Sequence, residues 1–157
     1  MKKEKIIISV VIPYYKRKNL VDQILYEINN QAKTTGLKTE VIIVDSSTDS
    51  KLLDINHQNI AIKILNTVNT LSGKRNYGIE KSKGEVIVCI DDDCLPKDGF
   101  LLNHYKANSH LKVPAIFSGQ EMISPIFKKP KCFFKFRTDN IFFVDSKKYK
   151  NKYEKIF

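Results

Sequence analysis

The feature that most restricts what this chain can fold into is one run, Gly84-Glu85-Val86-Ile87-Val88-Cys89-Ile90-Asp91-Asp92-Asp93. A β-branched apolar stretch follows glycine and ends abruptly in three carboxylates. Its length and composition predict a strand buried on both faces. The acids then fall at the carboxyl end of the strand, where open α/β sheets hold their ligands. In an extended backbone alternate side chains share a face, so Asp91 and Asp93 are expected to point together. Two like charges about 5 Å apart repel by roughly 3 kcal/mol at an effective dielectric near 20. A divalent cation reverses that repulsion, and clustered carboxylates suit a hard ion such as Mg²⁺ or Mn²⁺. A bare Asp-Asp-Asp also makes a solvated acidic turn, so the rest of the chain has to decide.

Upstream, strands and helices alternate. Ile6–Ile12 reads as a buried parallel strand closed by Pro13. Asn19 is placed to cap a helix whose apolar positions Leu20, Val21, Ile24, Leu25 and Ile28 follow the 3.6-residue period, with Gly36 ending it. Val41–Val44 forms a second buried strand and also ends in an acid, Asp45, before the turn-forming Ser46-Ser47-Thr48-Asp49-Ser50. Leu52 and Leu53 suit a short helix, and Ile60, Ile62 and Ile64 alternate on a third strand. A helix opens at Leu71-Ser72-Gly73-Lys74, with Ser72 as its cap, and Gly84 stops it. A further helix runs from Pro96 to about Ala107, and Ala115-Ile116-Phe117 is a short strand. This alternation predicts an α/β fold, a layered and mostly parallel sheet with helices on both faces.

A length of 157 residues is that of one domain, and 42% hydrophobic with 28% charged residues is the balance of a soluble globular protein. No apolar run reaches the 18 or so residues of a membrane span. The basic start followed by Ile6–Ile12 imitates a secretion signal but lacks a small-residue cleavage site. A cytoplasmic chain is therefore expected. Cys89, Cys94 and Cys132 have neither an even count nor CxxC spacing, which argues against a disulfide framework or a zinc site. The formal charge of +10 is concentrated late: residues 128–157 hold ten Lys or Arg against three acids, interleaved with Phe133, Phe134, Phe136, Phe142 and Phe143. Such a segment fits peripheral contact with an anionic membrane, a basic nucleic-acid surface or a plain solvated face. Nucleic acid is the least favoured partner.

Three strand ends thus carry polar groups: Pro13-Tyr14-Tyr15, Asp45, and Asp91-Asp92-Asp93. In a parallel sheet all three share one rim. A tyrosine there stacks on a base, a carboxylate accepts hydrogen bonds from base or ribose, and a metal held by the acids neutralises a diphosphate. Lys74 and Arg75, near a helix start, add charge for the same phosphates. No GxGxxG follows the first strand and no GxxxxGK[ST] occurs, so phosphate must be met by metal and side chains. His57, His104 and His110 share no ligand spacing and receive no role.

Ser9-Val10-Val11-Ile12-Pro13-Tyr14-Tyr15, Glu40–Asp49, Lys74-Arg75-Asn76-Tyr77-Gly78-Ile79, and Gly84–Asp93 with Pro96 together resemble the opening of the family 2 glycosyltransferases. The match keeps order and spacing from residue 6 to about 120. It implies a GT-A (Rossmann-like) fold and transfer of a sugar from a nucleotide diphosphate sugar, UDP first among the nucleotides, to a glycan or lipid-linked acceptor with Mg²⁺ or Mn²⁺. Carried over by position, it places Pro13 and Tyr15 beside the base and Asp45 on base or ribose; Tyr14, between them on the same rim, joins the nucleotide-binding candidates. Arg75 and Asn76 match the family's Arg-Asn pair bordering the nucleotide, and Lys74 joins them as a candidate by its charge near the helix start. Asp91 and Asp93 match the family's DxD motif, Asp93 as first metal ligand, with Asp91 or Asp92 towards the ribose.

Two departures stand out. Ser46 and Ser47 occupy positions where the family usually shows a second acid and a glycine. The general base of inverting members sits in a Glu-Asp context, and neither Asp139 nor Asp145 has one, so the catalytic base has no assignment. The expectation is a single GT-A-like domain over 1–157, shortened at its C-terminus, with 6–120 as the donor part and 121–157 as the start of the acceptor part. A non-catalytic nucleotide-sugar-binding module is the first alternative. A phospho-acceptor signalling domain is the second, although it needs an acidic pair after the first strand that Pro13-Tyr14-Tyr15 does not supply.

Overall fold

The computed structural model describes residues 5–47, 50–67 and 70–109. The chain divides into two units, 1–106 and 107–157, and nearly all described residues belong to the first. The strand expected at Ala115–Phe117, the basic aromatic tail, Cys132, His110, Asp139 and Asp145 lie outside the described residues.

Four strands, β1 (Ile8–Tyr14), β2 (Thr39–Asp45), β3 (Ile60–Asn66) and β4 (Val86–Cys89), form one parallel sheet in the order β3-β2-β1-β4. Helices α1 (Lys18–Thr35), α2 (Leu71–Glu80) and α3 (Phe100–Ser109) complete the described elements, with a 3-10 turn at Ser50–Leu52. The β1 register decides the layers. Ile8, Val10, Ile12 and Tyr14 pack with Val21, Ile24, Leu25, Ile28 and Ala32 of α1 and Leu101 of α3. Val11, with Ile42 and Val44 of β2, packs against Leu65 and against Tyr77 of α2. Gly78 lets α2 lie close to the sheet, since a Cβ there would sit 2.3 Å from a methyl of Val11 and 3.1 Å from one of Val44.

Several expectations shift. Pro13 does not close β1, which continues through Tyr14. Val11 directs its carbonyl to the Ile90 N–H. Pro13, two residues on, faces the same side, where β4 has already ended, so its missing N–H costs no ladder bond. Asn19 is not the cap of α1. Arg17 holds that position, its carbonyl accepting from Leu20 and Val21, and Asn19 lies within the first turn. Leu20 sits at the margin of the apolar stripe and is exposed. Thr70, not Ser72, precedes α2, and the helix ends at Glu80, before Gly84. Gly84 instead permits close approach, because a Cβ there would lie 2.5 Å from the Ser9 backbone nitrogen. α3 begins at Phe100 rather than Pro96, after Gly99 takes a left-handed φ of 78°.

β4 is also shorter than expected and is not buried on both faces. Val86 and Val88 point inward while Ile87 and Cys89 are exposed, as on an edge strand. Across the amino end of the sheet, Ser9 Oγ donates to Glu40 Oε1 at 2.6 Å. The same buried carboxylate accepts from Lys83 N–H at 2.6 Å, and Gly84 N–H donates to Ser9 Oγ at 2.8 Å. One polar clip thus ties β1 and β2 to the segment entering β4.

Candidate functional site

The strand order reverses beside β1: β2 and β3 lie on one side of it and β4 on the other. Such a switch point opens a crevice beyond the carboxyl ends of the strands, the usual ligand position of an open α/β sheet. Here the chain leaving β1 meets the chain leaving β4. Tyr15 N–H donates to Asp92 Oδ2 at 2.9 Å, and Arg17 Nη1 donates to Asp92 Oδ1 at 2.5 Å. Arg17 Nη1 also lies 3.0 Å from Asp93 Oδ2, and Arg75 of α2 pairs with Asp91.

The three acids are not on a strand. β4 ends at Cys89, and the Cys94 N–H donates to the Asp91 carbonyl, so the triad forms a turn. Strand alternation therefore does not bring Asp91 and Asp93 together; each is tied to a different arginine. The Asp92 side chain is 7% exposed, against 48% for Asp93 and 40% for Asp91. Asp92 works as a brace between two loops, and Asp91 and Asp93 stand at the surface. An exposed ion pair contributes about 0–1 kcal/mol, whereas a buried carboxylate engaged at both oxygens is far harder to detach.

The tyrosines divide in the opposite way from a simple pair. Tyr14 faces the α1 side and is fully buried, and Pro13 is buried beside it, so neither is placed to present its side chain to a base. Tyr15 is 44% exposed, with the ammonium groups of Lys16 and Lys74 at 5.3 and 5.4 Å from its ring centre. Lys16 has a φ of 56°, the one described non-glycine residue in the left-handed region. That turn carries the chain from β1 to Arg17.

Lys74 is not a surface charge waiting for phosphate. It is buried, and its Nζ donates to the Tyr14 carbonyl at 2.7 Å, joining α2 to the end of β1. Burial pushes its pKa down, opposed by the charges of Asp45 and Asp92. Asp45 closes β2 and is fully buried. Its Oδ1 accepts from the Ser47 N–H at 2.7 Å and from the Ser47 hydroxyl at 2.6 Å. Among the described residues its Oδ2 has no hydrogen-bond partner. A buried carboxylate oxygen left unpaired is costly, and a ligand N–H or O–H would relieve it. Asn76 is exposed on α2, one residue beyond Arg75.

Arg17 was not among the residues singled out from sequence. Its hydrogen bond to Asp92, then the charges of Asp92 and Asp93, raise the guanidinium's pKa above its ordinary value. Nothing in the local composition marks it apart from Lys16 and Lys18; its role follows from the left-handed turn before it. Among the described residues no three His, Cys, Asp or Glu side chains gather into a closed metal site. A donor set of one or two half-exposed carboxylates suits an ion that completes its shell with water and phosphate, as Mg²⁺ commonly does.

Known proteins agree with this architecture. The sequence model of a family described as Glycosyl transferase family 2 matches residues 9–147. A glycosyltransferase, AglE, of Haloferax volcanii is 29% identical over 100 residues, 60% of this chain and 33% of that protein. A poly(ribitol-phosphate) beta-glucosyltransferase of Bacillus spizizenii is 29% identical over 147 residues, 89% of this chain and 23% of that protein. The chain thus spans a third or less of the length of these curated relatives. In the crystal structure of residues 1–349 of S. aureus TarS, the likeness has a TM-score of 0.54 at 19% identity, covering 78% of this chain and 40% of that one. The fold is of the GT-A type. With its family match running through most of its length, this chain belongs to glycosyl transferase family 2.

Proposed function

We propose that the β1/β4 crevice binds a nucleotide diphosphate sugar, with UDP as nucleotide, for transfer to a glycan or lipid-linked acceptor in a Mg²⁺- or Mn²⁺-dependent reaction. The observation that carries this reading is the meeting, at the switch point, of the chain leaving β1 with the chain leaving β4, where Arg17 and Arg75 pair with the half-exposed Asp93 and Asp91 and the buried Asp92 ties the two segments together. Tyr15 offers a ring face to the base, and Asp45 Oδ2 accepts a hydrogen bond from a base N–H. Arg75 and Asn76 border the nucleotide, and Arg75 exchanges Asp91 for a phosphate oxygen. Asp93, and separately Asp91, are the half-exposed acids that would hold the metal, while Asp92 holds the turn and Lys74 fixes the end of β1.

When bound, a divalent cation stabilises negative charge on the departing diphosphate. The protein's share is to orient the donor so that an acceptor hydroxyl reaches the anomeric carbon from the opposite face, which inverts it. The family assignment leaves the phospho-acceptor and nucleic-acid alternatives without support. No described helix is long and apolar enough to cross a membrane. Peripheral contact through 128–157 remains a proposal about residues outside the described part.

Calorimetric titration of UDP with Mn²⁺ tests the donor site. Heat and a saturable affinity are expected, and Asp45→Asn weakens it by about 10–100-fold while melting close to the parent, since a hydrogen bond to a charged group is worth about 1.5–3 kcal/mol. No heat from the parent protein refutes the reading. Release of free sugar or transfer to an added glycan then separates an enzyme from a binding module.

A further inference from the structure

We propose that Arg17 is a positioning residue that holds Asp93 in the nucleotide-free protein, and that a divalent cation arriving with the donor diphosphate takes Asp93 from Arg17 while Asp92 retains it. The inference rests on the metal-dependent reading given above and goes beyond it by assigning a residue and an order of events.

The two carboxylates that share Arg17 are unequal. Asp92 is buried, with Oδ1 at 2.5 Å from Arg17 and Oδ2 accepting the Tyr15 N–H. Asp93 is half-exposed; its Oδ2 lies 3.0 Å from Arg17, and its Oδ1 meets a weak thiol contact from Cys94 at 3.8 Å. Asp93 is therefore the member that can be released without opening the turn. Arg17 is itself half-exposed and has room to stay on Asp92 when Asp93 leaves. The third acid is served separately, by Arg75.

A bare cation entering this site must displace a guanidinium in return for one or two carboxylates. A cation already bound to diphosphate brings oxygen ligands of its own and needs fewer from the protein. Arg17 thus makes cation uptake depend on nucleotide, and by linkage the nucleotide gains the same factor from the cation. The left-handed Lys16 keeps the guanidinium over the acids by turning the chain as it leaves β1.

The test is a Mn²⁺ titration followed by the paramagnetic resonance signal of the free ion, with and without UDP. It uses the parent chain, Arg17→Met, and Arg17→Met combined with Asp93→Asn. Without UDP, Arg17→Met is expected to bind Mn²⁺ about tenfold or more tightly than the parent, and adding Asp93→Asn to abolish the gain. An affinity of Arg17→Met equal to or weaker than the parent's overturns the proposal. The parent with UDP is the separate check: if it takes up no Mn²⁺, the donor-site reading fails and this inference with it. If it does, and Arg17→Met shows no gain, only the present inference falls. Because Arg17→Met also removes a hold on Asp92, the parent protein supplies a second measurement. The Arg17 guanidinium resonances are expected to shift when Mg²⁺ and UDP are added together and to stay in place with Mg²⁺ alone; no shift upon binding of both overturns the proposal.

Discussion

Replacing Asp92 and Asp93 one at a time by alanine separates a brace from a ligand-facing group, although the two are sequence neighbours. Asp92→Ala removes the acceptor of the Tyr15 N–H, and a partly buried donor left without its partner costs about 1–3 kcal/mol. It also removes the Arg17 pair, which adds up to about 1 kcal/mol because the guanidinium is half-exposed. A loss of about 1–4 kcal/mol is expected, equivalent to roughly 2–16 °C in melting temperature for a chain of this size. Asp93→Ala deletes the longer, half-exposed contact to Arg17 and the weak thiol contact from Cys94, and is expected to cost less than about 1 kcal/mol. Thermal and urea melts of both variants, without nucleotide, measure the difference. Equal losses, or a larger one for Asp93→Ala, would refute the division of roles, because it rests wholly on the unequal burial of the two carboxylates.

Other outcomes follow from the packing. Gly78→Ala pushes α2 off the sheet against Val11 and Val44 and is expected to destabilise by about 1–3 kcal/mol in a urea melt, with no change in a variant such as Asn76→Ala on the exposed face. His104, set edge-on to Phe100, has its pKa lowered from 6.5 by burial. The folded state prefers the neutral ring, so this contribution is present above pH 6.5 and is lost as pH falls through that value towards the lowered folded pKa. Melting temperatures of His104→Asn and the parent, compared from pH 5 to 8, should therefore converge at the acid end. Divergence there would contradict the assignment.

Much of the scaffold was legible because buried parallel strands need apolar runs and leave polar residues only at their ends. Val10–Ile12 and Val41–Val44 announce central strands, and Asp45 and Asp91–Asp93 announce the rim. What escaped depended on one or two residues of register. Taking Pro13 as a terminator hid that Ile8, Val10, Ile12 and Tyr14 share one face, a period-two signal that was present in the sequence and buries Tyr14. Lys74 was misjudged because nothing in a sequence says which lysine will find a backbone carbonyl inside the fold. Arg17 was overlooked for a similar reason: its reach to Asp92 and Asp93, some 75 residues away, exists only after Lys16 adopts a left-handed turn. Single-sequence patterns report faces and ends well, and they report poorly which long side chain bridges two loops.

The clip of Ser9, Glu40, Lys83 and Gly84 has a mechanical consequence for the opposite rim. It fastens three segments where the strands begin, a distance of roughly 20 Å from the acids along a seven-residue strand. Strand spacing is thereby pinned at the foot of the sheet, and any adjustment to an incoming molecule is left to side chains and turns at its head. Entry of a donor should redraw salt bridges there while leaving the amide exchange of Ser9–Val11 as slow as before.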